Sequence, residues 1–299
     1  MCTRRCIKGA RDRDVMLKEV HALAGLTDVC EADTKHVVRY HQAWIEGERL
    51  FIQTELCDTG AGAGGIGEGR FFRTAAEAWD FLRQVLLGLD MLHKHNMVHL
   101  DVKPGNIFLK GGLYKLGDFG LVTPANAAGD VAEGDSRYMS RELLNESFSD
   151  LTKCDIFSLG ITLYELLAGG GNGGGNGGSN GGGTGGGALP PNGQEWHRLR
   201  DGSVSLLPPP AVPRELADVV RRMMQPDAAR RPSAAALLAQ VPELRSDMER
   251  KLHEAQNMNK LLELQIAAGR RQQPAGASDG RRGRLKRNAT WSDSSSSAS

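Results

Sequence analysis

The chain has 299 residues, 40% of them hydrophobic, and a formal charge of +1, which allows a two-lobed domain with a sizeable core and gives no charge excess that would select nucleic acid or a membrane surface as partner. No run of about 18 apolar residues is available to span a bilayer, and the first residues lack the apolar centre of a signal peptide. Five scattered cysteines, Cys2, Cys6, Cys30, Cys57 and Cys154, form no Cys-x-x-Cys pair, which argues against a zinc or dithiol centre and leads us to expect a soluble protein of a reducing, intracellular compartment.

In chain order, Val15, Val20, Leu23 and Leu26 stand near helical spacing behind the capping residue Asp12 and predict a helix over 12–26. Val37–Tyr40, Gln42–Ile45 and Leu50–Thr54 are short β-rich runs, the last two separated by the turn-like Glu46–Arg49, and they predict an antiparallel meander. Glu55-Leu56-Cys57-Asp58 then suits a connection between lobes. Thr74-Ala75-Ala76-Glu77 reads as a capping box, followed by one apolar face of Trp79, Leu82, Val85, Leu86, Leu89 and Leu92. Further helices are predicted from Asp155 through Leu167 and from about Arg214 to Met224. Residues 169–187 hold 14 glycines in 19 positions and predict a flexible surface insertion with no binding role. Leu244, Met248, Leu252, Ala255, Met258, Leu262 and Ile266 step by three and four, as in a helix docked on the domain or a short coiled coil. Residues 269–299 are basic, then serine-rich, and predict disorder.

The chemistry is concentrated between the capped helix and the next one. His99-Leu100-Asp101-Val102-Lys103-Pro104-Gly105-Asn106 is followed, after Ile107-Phe108-Leu109 and a short turn, by Lys115-Leu116-Gly117-Asp118-Phe119-Gly120. Either motif alone is weak, but both in this order, joined by strand-like runs, describe a phosphoryl-transfer site. Such transfer needs positioning and charge stabilisation more than covalent chemistry from the protein. Asp101 suits the base that accepts the proton of the attacking hydroxyl, and Lys103 suits a place beside the γ-phosphate. Asn106 and Asp118 offer the oxygen ligands that Mg²⁺ prefers, so ATP and Mg²⁺ are the expected cofactors. Backbone groups at Glu55 and Cys57 suit adenine binding, with Thr54 at the back of the pocket. Glu19, on the first helix, is either the partner of a phosphate-binding lysine or a solvated helix-face glutamate. The fold expected is α+β: a bilobal protein-kinase fold with an incomplete small lobe and a mainly helical large lobe.

Glu133-Gly134-Asp135-Ser136-Arg137-Tyr138-Met139 resembles the activation segment of the Wee family of mitosis-inhibitory kinases. The catalytic loop with Leu100 in place of arginine is also similar to that group, as are Lys153-Cys154-Asp155-Ile156-Phe157-Ser158-Leu159 and Asp227-Ala228-Ala229-Arg230-Arg231-Pro232-Ser233-Ala234. The resemblance spans about residues 12–242. It implies phosphorylation of a tyrosine near the ATP-binding loop of a cyclin-dependent kinase, which delays the onset of mitosis. Lys103 follows the general serine/threonine-kinase pattern, so the tyrosine preference comes from the family likeness alone. Asp155 matches the helix residue that anchors the catalytic loop, and Arg231 is expected to pair with Glu142. Without an arginine at position 100, a phosphate on the activation segment lacks one cationic partner, so the segment is expected to order without phosphorylation.

The chain departs from the family at its start. No Gly-x-Gly-x-x-Gly loop precedes the first helix, and Lys8, in the strand-like Cys6-Ile7-Lys8, stands only 11 residues before Glu19. The expectation is an N-terminally truncated kinase that holds ATP and Mg²⁺ weakly. Three readings stay open: a tyrosine-directed kinase, a kinase-like binding module with little activity, and a general serine/threonine kinase. The boundaries read from the sequence are a partial small lobe over 1–56, a large lobe over 57–243 with its insertion at 169–187, a helix over 244–268 and a tail over 269–299. A cyclin-dependent kinase is the expected partner, with no membrane and no direct nucleic-acid binding. The cluster Arg281, Arg282, Arg284, Lys286 and Arg287 suits either a nuclear-import signal or a solvating tail, and the localisation expected is nuclear, with or without a cytoplasmic pool.

Overall fold

In the computed structural model the described residues are 2–6, 17, 20, 21, 24, 25, 34–47, 49–58, 66, 72, 74–127, 131, 134–147, 149–168, 189, 193–202 and 212–241. The chain divides into two compact units, Met1–Ser246 and Asp247–Ser299, and every described residue belongs to the first. The glycine-rich stretch 169–187, the helix expected over 244–268 and the tail 269–299 lie outside the described residues.

The smaller lobe is built on a three-stranded antiparallel sheet of β1 (Cys2–Cys6), β2 (Tyr40–Glu46) and β3 (Arg49–Thr54), in the order β1-β3-β2. Gly47, at φ +60°, closes the β2–β3 hairpin in a conformation that a side chain would strain. Strand alternation sorts the hairpin. Leu50 and Ile52, each 2% exposed, enter the core, while Trp44 stacks on its cross-strand partner Phe51 at 5.3 Å on the other face. Leu17, Val20, His21, Ala24 and Gly25 are helical, as the spacing in 12–26 predicts, and Val20 packs against the core.

Two features of this lobe differ from the sequence reading. The run Val37–Tyr40 is not a strand of the meander; only Tyr40 joins β2. Val37 instead makes an isolated parallel bridge to Leu116, with the Val38 amide donating to the Leu116 carbonyl at 2.7 Å and the Leu116 amide to the His36 carbonyl at 2.9 Å. Its valines are buried because the segment docks on the strand that ends at Leu116. The second difference is β1, an edge strand whose composition carries no alternation of apolar and polar residues.

The larger lobe is helical, as expected. Its first helix, α1 (Ala75–Lys94), starts where the Thr74 hydroxyl accepts from the Glu77 amide at 3.2 Å, and it buries all six residues of the predicted apolar face. It packs on α3 (Thr152–Ala168), α6 (Ala234–Gln240) and the strand Leu113–Leu116. Every residue of α3 from 154 to 163 is buried, which accounts for a helix apolar on all sides. A Cβ on Gly160 would stand 2.8 Å from Met224 Cγ, so glycine is what lets α3 approach α5 (Arg214–Met223) closely. Two short helices, α2 (Arg141–Leu144) and α4 (Gln194–Asp201), complete the lobe. β4 (Met97–Val98) pairs with β7 (Thr123–Pro124), and β5 (Ile107–Lys110) pairs with β6 (Leu113–Leu116) through Gly111 and Gly112, at φ +54° and +82°.

Candidate active site

The catalytic loop leaves β4 at His99 and is held from α3 by a buried carboxylate and by the Thr162 hydroxyl, which donates to the Val102 carbonyl at 3.2 Å. Asp155 on α3 accepts the amide of His99 at 2.9 Å, the amide of Leu100 at 2.8 Å and a hydrogen bond from His93 Nε2 at 2.9 Å. That is the anchoring role expected of Asp155. Leu100 takes the left-handed conformation, φ +62°, and its side chain is buried with Val98, Met139, Leu143, Leu151 and Cys154. Position 100 therefore ties the loop to the activation segment through apolar packing, where an arginine would present a charge.

His99 locks the two motifs together. Its Nδ1 accepts from the Asp101 amide at 3.3 Å, which makes Nε2 the donor to the Gly117 carbonyl at 3.1 Å. The Gly117 amide in turn donates to the Asn106 carbonyl at 2.9 Å. Gly117 is thus gripped from both sides by the catalytic loop just before Asp118. A Cβ there would stand 2.7 Å from the Phe108 ring and 2.9 Å from Val38, so the close approach requires glycine. Phe119 is buried against the His99 ring at 5.4 Å, whereas Asp118, at φ +57°, is exposed, with one oxygen accepting from the Gly120 amide at 3.3 Å.

Two of the sequence-predicted residues, Lys103 and Asn106, meet at Asp101. Its Oδ2 accepts from Asn106 Nδ2 at 2.7 Å and lies 2.8 Å from Lys103 Nζ, and its Oδ1 accepts from the Asp135 amide at 3.3 Å. Asn106 gives its second amide hydrogen to the Asp101 carbonyl at 2.9 Å, which leaves its side-chain oxygen as the remaining polar atom. Among the described residues no group of three or more His, Cys, Asp or Glu forms a metal cage. Two oxygen donors, Asn106 and Asp118, fit Mg²⁺, which fills its octahedron with water and substrate phosphate rather than with protein alone.

Glu55 does more than its backbone role. Its amide donates to the Arg39 carbonyl, and its carboxylate takes Lys110 at 2.7 Å, Lys115 at 2.9 Å and the Arg39 amide at 2.8 Å. Burial alone would raise this carboxyl, but the Lys110, Arg39 and Lys115 interactions prevail and hold it at about 2. The Glu55 side chain therefore fastens the connection between lobes to the β5–β6 hairpin. Asp58 strengthens the same seam, with its amide on the Leu109 carbonyl at 2.7 Å and its carboxylate accepting from the Gly111 amide at 2.6 Å. Cys57 follows Glu55 half-buried, its thiol raised by burial and by the Glu55 charge, and Thr54 ends β3. Glu19 and Lys8 lie outside the described residues.

The activation segment makes contacts that its motif did not disclose, and it brings in Arg200 and Trp196, which the sequence reading did not single out. Gly134 passes so close to the loop that a Cβ would stand 2.8 Å from the Leu100 carbonyl. Asp135 binds Arg137 at 2.7 Å; burial opposes its ionisation, but the Arg137 hydrogen bonds win and lower its carboxyl. The Tyr138 hydroxyl donates to Glu165 at 2.7 Å, and burial together with that carboxylate raises the phenol. Arg200 and Trp196 on α4 bind the carbonyls of this segment. The expected Arg231–Glu142 pair is present, with Nη2 donating to Oε2 at 3.0 Å, and Arg231 also caps carbonyls of Lys153, Gln225 and Pro226. A helix-borne arginine aimed inward looks in sequence like one aimed at solvent, which is why Arg200 carried no signal.

The protein kinase domain family matches residues 4–241, and the chain belongs to that family. Within it the likeness is to the Wee type. The chain is 38% identical over 234 residues to the Wee1-like protein kinase of Oryza sativa subsp. japonica, covering 78% of this chain and 40% of the relative. It is 38% identical over 261 residues to Wee1-like protein kinase 2 of Danio rerio, covering 79% and 44%, and 36% identical over 234 residues to Wee1-like protein kinase 2 of Homo sapiens, covering 68% and 37%. The chain thus spans about two fifths of the length of these relatives.

Proposed function

We propose that this chain transfers the γ-phosphate of ATP to a protein hydroxyl, and that the hydroxyl is the inhibitory tyrosine of a cyclin-dependent kinase, so that the reaction restrains the onset of mitosis. The observation that carries the reading is the Asp101 carboxylate, oriented by Asn106, Lys103 and the Asp135 amide. Asp101 takes the proton of the attacking hydroxyl, and its neighbours fix the angle from which it does so. The Lys103 ammonium lies beside the transferred phosphoryl group and offsets its charge. Asn106 and Asp118 would hold Mg²⁺, which when bound neutralises phosphate charge. The Glu55 carbonyl and the Cys57 backbone hold the adenine, with Thr54 behind it. The tyrosine and the cyclin-dependent kinase rest on the Wee-type likeness. The Arg281–Arg287 cluster is proposed as a nuclear-import signal; deleting 281–299 should abolish nuclear accumulation of a tagged chain, and unchanged accumulation would refute it.

The test is incubation of the full chain with labelled ATP, Mg²⁺ and a cyclin-dependent kinase, followed by phosphoamino-acid analysis. Phosphotyrosine is expected. Label confined to serine or threonine would point to a general serine/threonine kinase, and nucleotide binding without transfer would point to a binding module.

A further inference from the structure

Arg200 is 1% exposed, and among the described residues no carboxylate pairs with it. Its guanidinium instead donates to four carbonyls: Ser136 at 2.8 Å, Arg137 at 2.9 Å, Met139 at 2.9 Å and, within its own helix, Trp196 at 3.2 Å. The Trp196 ring covers it at 3.6 Å, and the indole Nε1 donates to the same Ser136 carbonyl at 3.1 Å. Burial pushes the guanidinium down to about 10, still well above neutrality, so the cation persists. A buried cation satisfied mainly by the carbonyls of one four-residue stretch fixes that stretch strongly, because a guanidinium presents its donors in a rigid planar fork. Further contacts come from Ser158, whose hydroxyl donates to the Tyr138 carbonyl at 2.9 Å, and from the Tyr138–Glu165 bond. The stretch so fixed directly follows Asp135, whose amide donates to Asp101 at 3.3 Å.

We propose that Trp196 and Arg200 form a clamp that positions residues 135–139 beside Asp101 for the incoming protein substrate, and that this clamp does the ordering which elsewhere requires a phosphate on the segment. Arg200 is a positioning residue, acting through the backbone of 136–139. The kinetic part of the proposal rests on the phosphoryl-transfer reading above, whereas the ordering part does not.

The test compares the full chain, treated with phosphatase, with Arg200→Lys, which keeps the charge and loses the fork, and Trp196→Phe, which loses one donor. Amide hydrogen exchange over 134–140 should quicken about tenfold in Arg200→Lys and about threefold in Trp196→Phe, with α1 and α3 unchanged, the tenfold step corresponding to roughly one charged hydrogen bond. KM for the protein substrate should rise about tenfold in Arg200→Lys while KM for ATP stays within about twofold. Unaltered exchange at 134–140, or a joint rise in both KM values, would overturn the clamp. A wild-type chain that transfers no phosphate would count against the phosphoryl-transfer reading alone, with the exchange data still deciding the clamp. If Arg200→Lys does not fold, Trp196→Phe decides it by the same measurements.

Discussion

Two stretches of backbone meet at Asp101, and they are held by opposite charges. The catalytic loop turns its amides toward a buried anion, Asp155, which binds His99 and Leu100. The activation segment and the short helix α2 that follows it face buried cations, with Arg200 on the carbonyls of Ser136, Arg137 and Met139 and Arg231 on Glu142. Irregular backbone beside a reactive centre cannot satisfy itself by a helix or a ladder, so the core supplies the partner, and its sign follows from which backbone groups point inward. The loop is held from one helix, α3, by Asp155 on its amides and by Thr162, whose hydroxyl donates to the Val102 carbonyl at 3.2 Å. The segment depends on α4 and on the 230–231 turn as well, so the two should fail differently when their anchors are removed.

Removing the charged anchor should do the most damage. Asp155→Ala leaves two buried amides and His93 without their acceptor, and an unfolding midpoint in denaturant should report a loss of about 3–5 kcal/mol; a loss under about 1 kcal/mol would mean that the loop does not depend on Asp155. Next comes Arg231→Met, which strands Glu142 in the interior at a cost of about 3 kcal/mol, part of which the double variant with Glu142→Leu should recover. A double variant as unstable as the sum of the two singles would show that the pair itself is unimportant.

The seam between the lobes should give a smaller, pH-dependent effect. The folded Glu55 carboxyl lies at about 2, below its ordinary value of 4.5, so its contribution is present above about 4.5 and is lost as pH falls toward 2. Glu55→Gln should cost about 1–2 kcal/mol at neutral pH and flatten the fall in Tm across that acid window. Identical acid profiles would show that Lys110 and Lys115 do not stabilise the carboxylate. Smallest is Thr74→Ala at the start of α1, expected to cost about 1 kcal/mol by thermal unfolding without altering exchange in either loop.

The same contrast explains what the sequence disclosed. Asp101, Lys103, Asn106 and Asp118 were legible because positioning a phosphate demands those residue types at tight spacing, and two of them, Lys103 and Asn106, converge on the Asp101 carboxylate. The helices α1, α3 and α5 were legible through periodicity and capping. Asp155 and Arg231 sit in stretches that themselves resemble a family, so their anchoring roles could be read. Arg200 sits in no such stretch, and its partners are carbonyls, which every residue carries. Val37 and Val38 misled because burial against β6 selects the same β-branched residues as a strand does. The Glu55 side chain was missed because Lys110 and Lys115 straddle a hairpin, and their convergence depends on its register.

The central claim is that the Asp101 carboxylate, held by Asn106, Lys103 and the Asp135 amide, is the base of a phosphoryl-transfer site. The most direct measurement is phosphate incorporation from labelled ATP into the protein substrate by wild type and Asp101→Asn at matched concentration, with thermal unfolding of both recorded. A loss of about 10²-fold or more in turnover with a stability change under about 1.5 kcal/mol is the result this account predicts. Near-wild-type turnover by Asp101→Asn would contradict it.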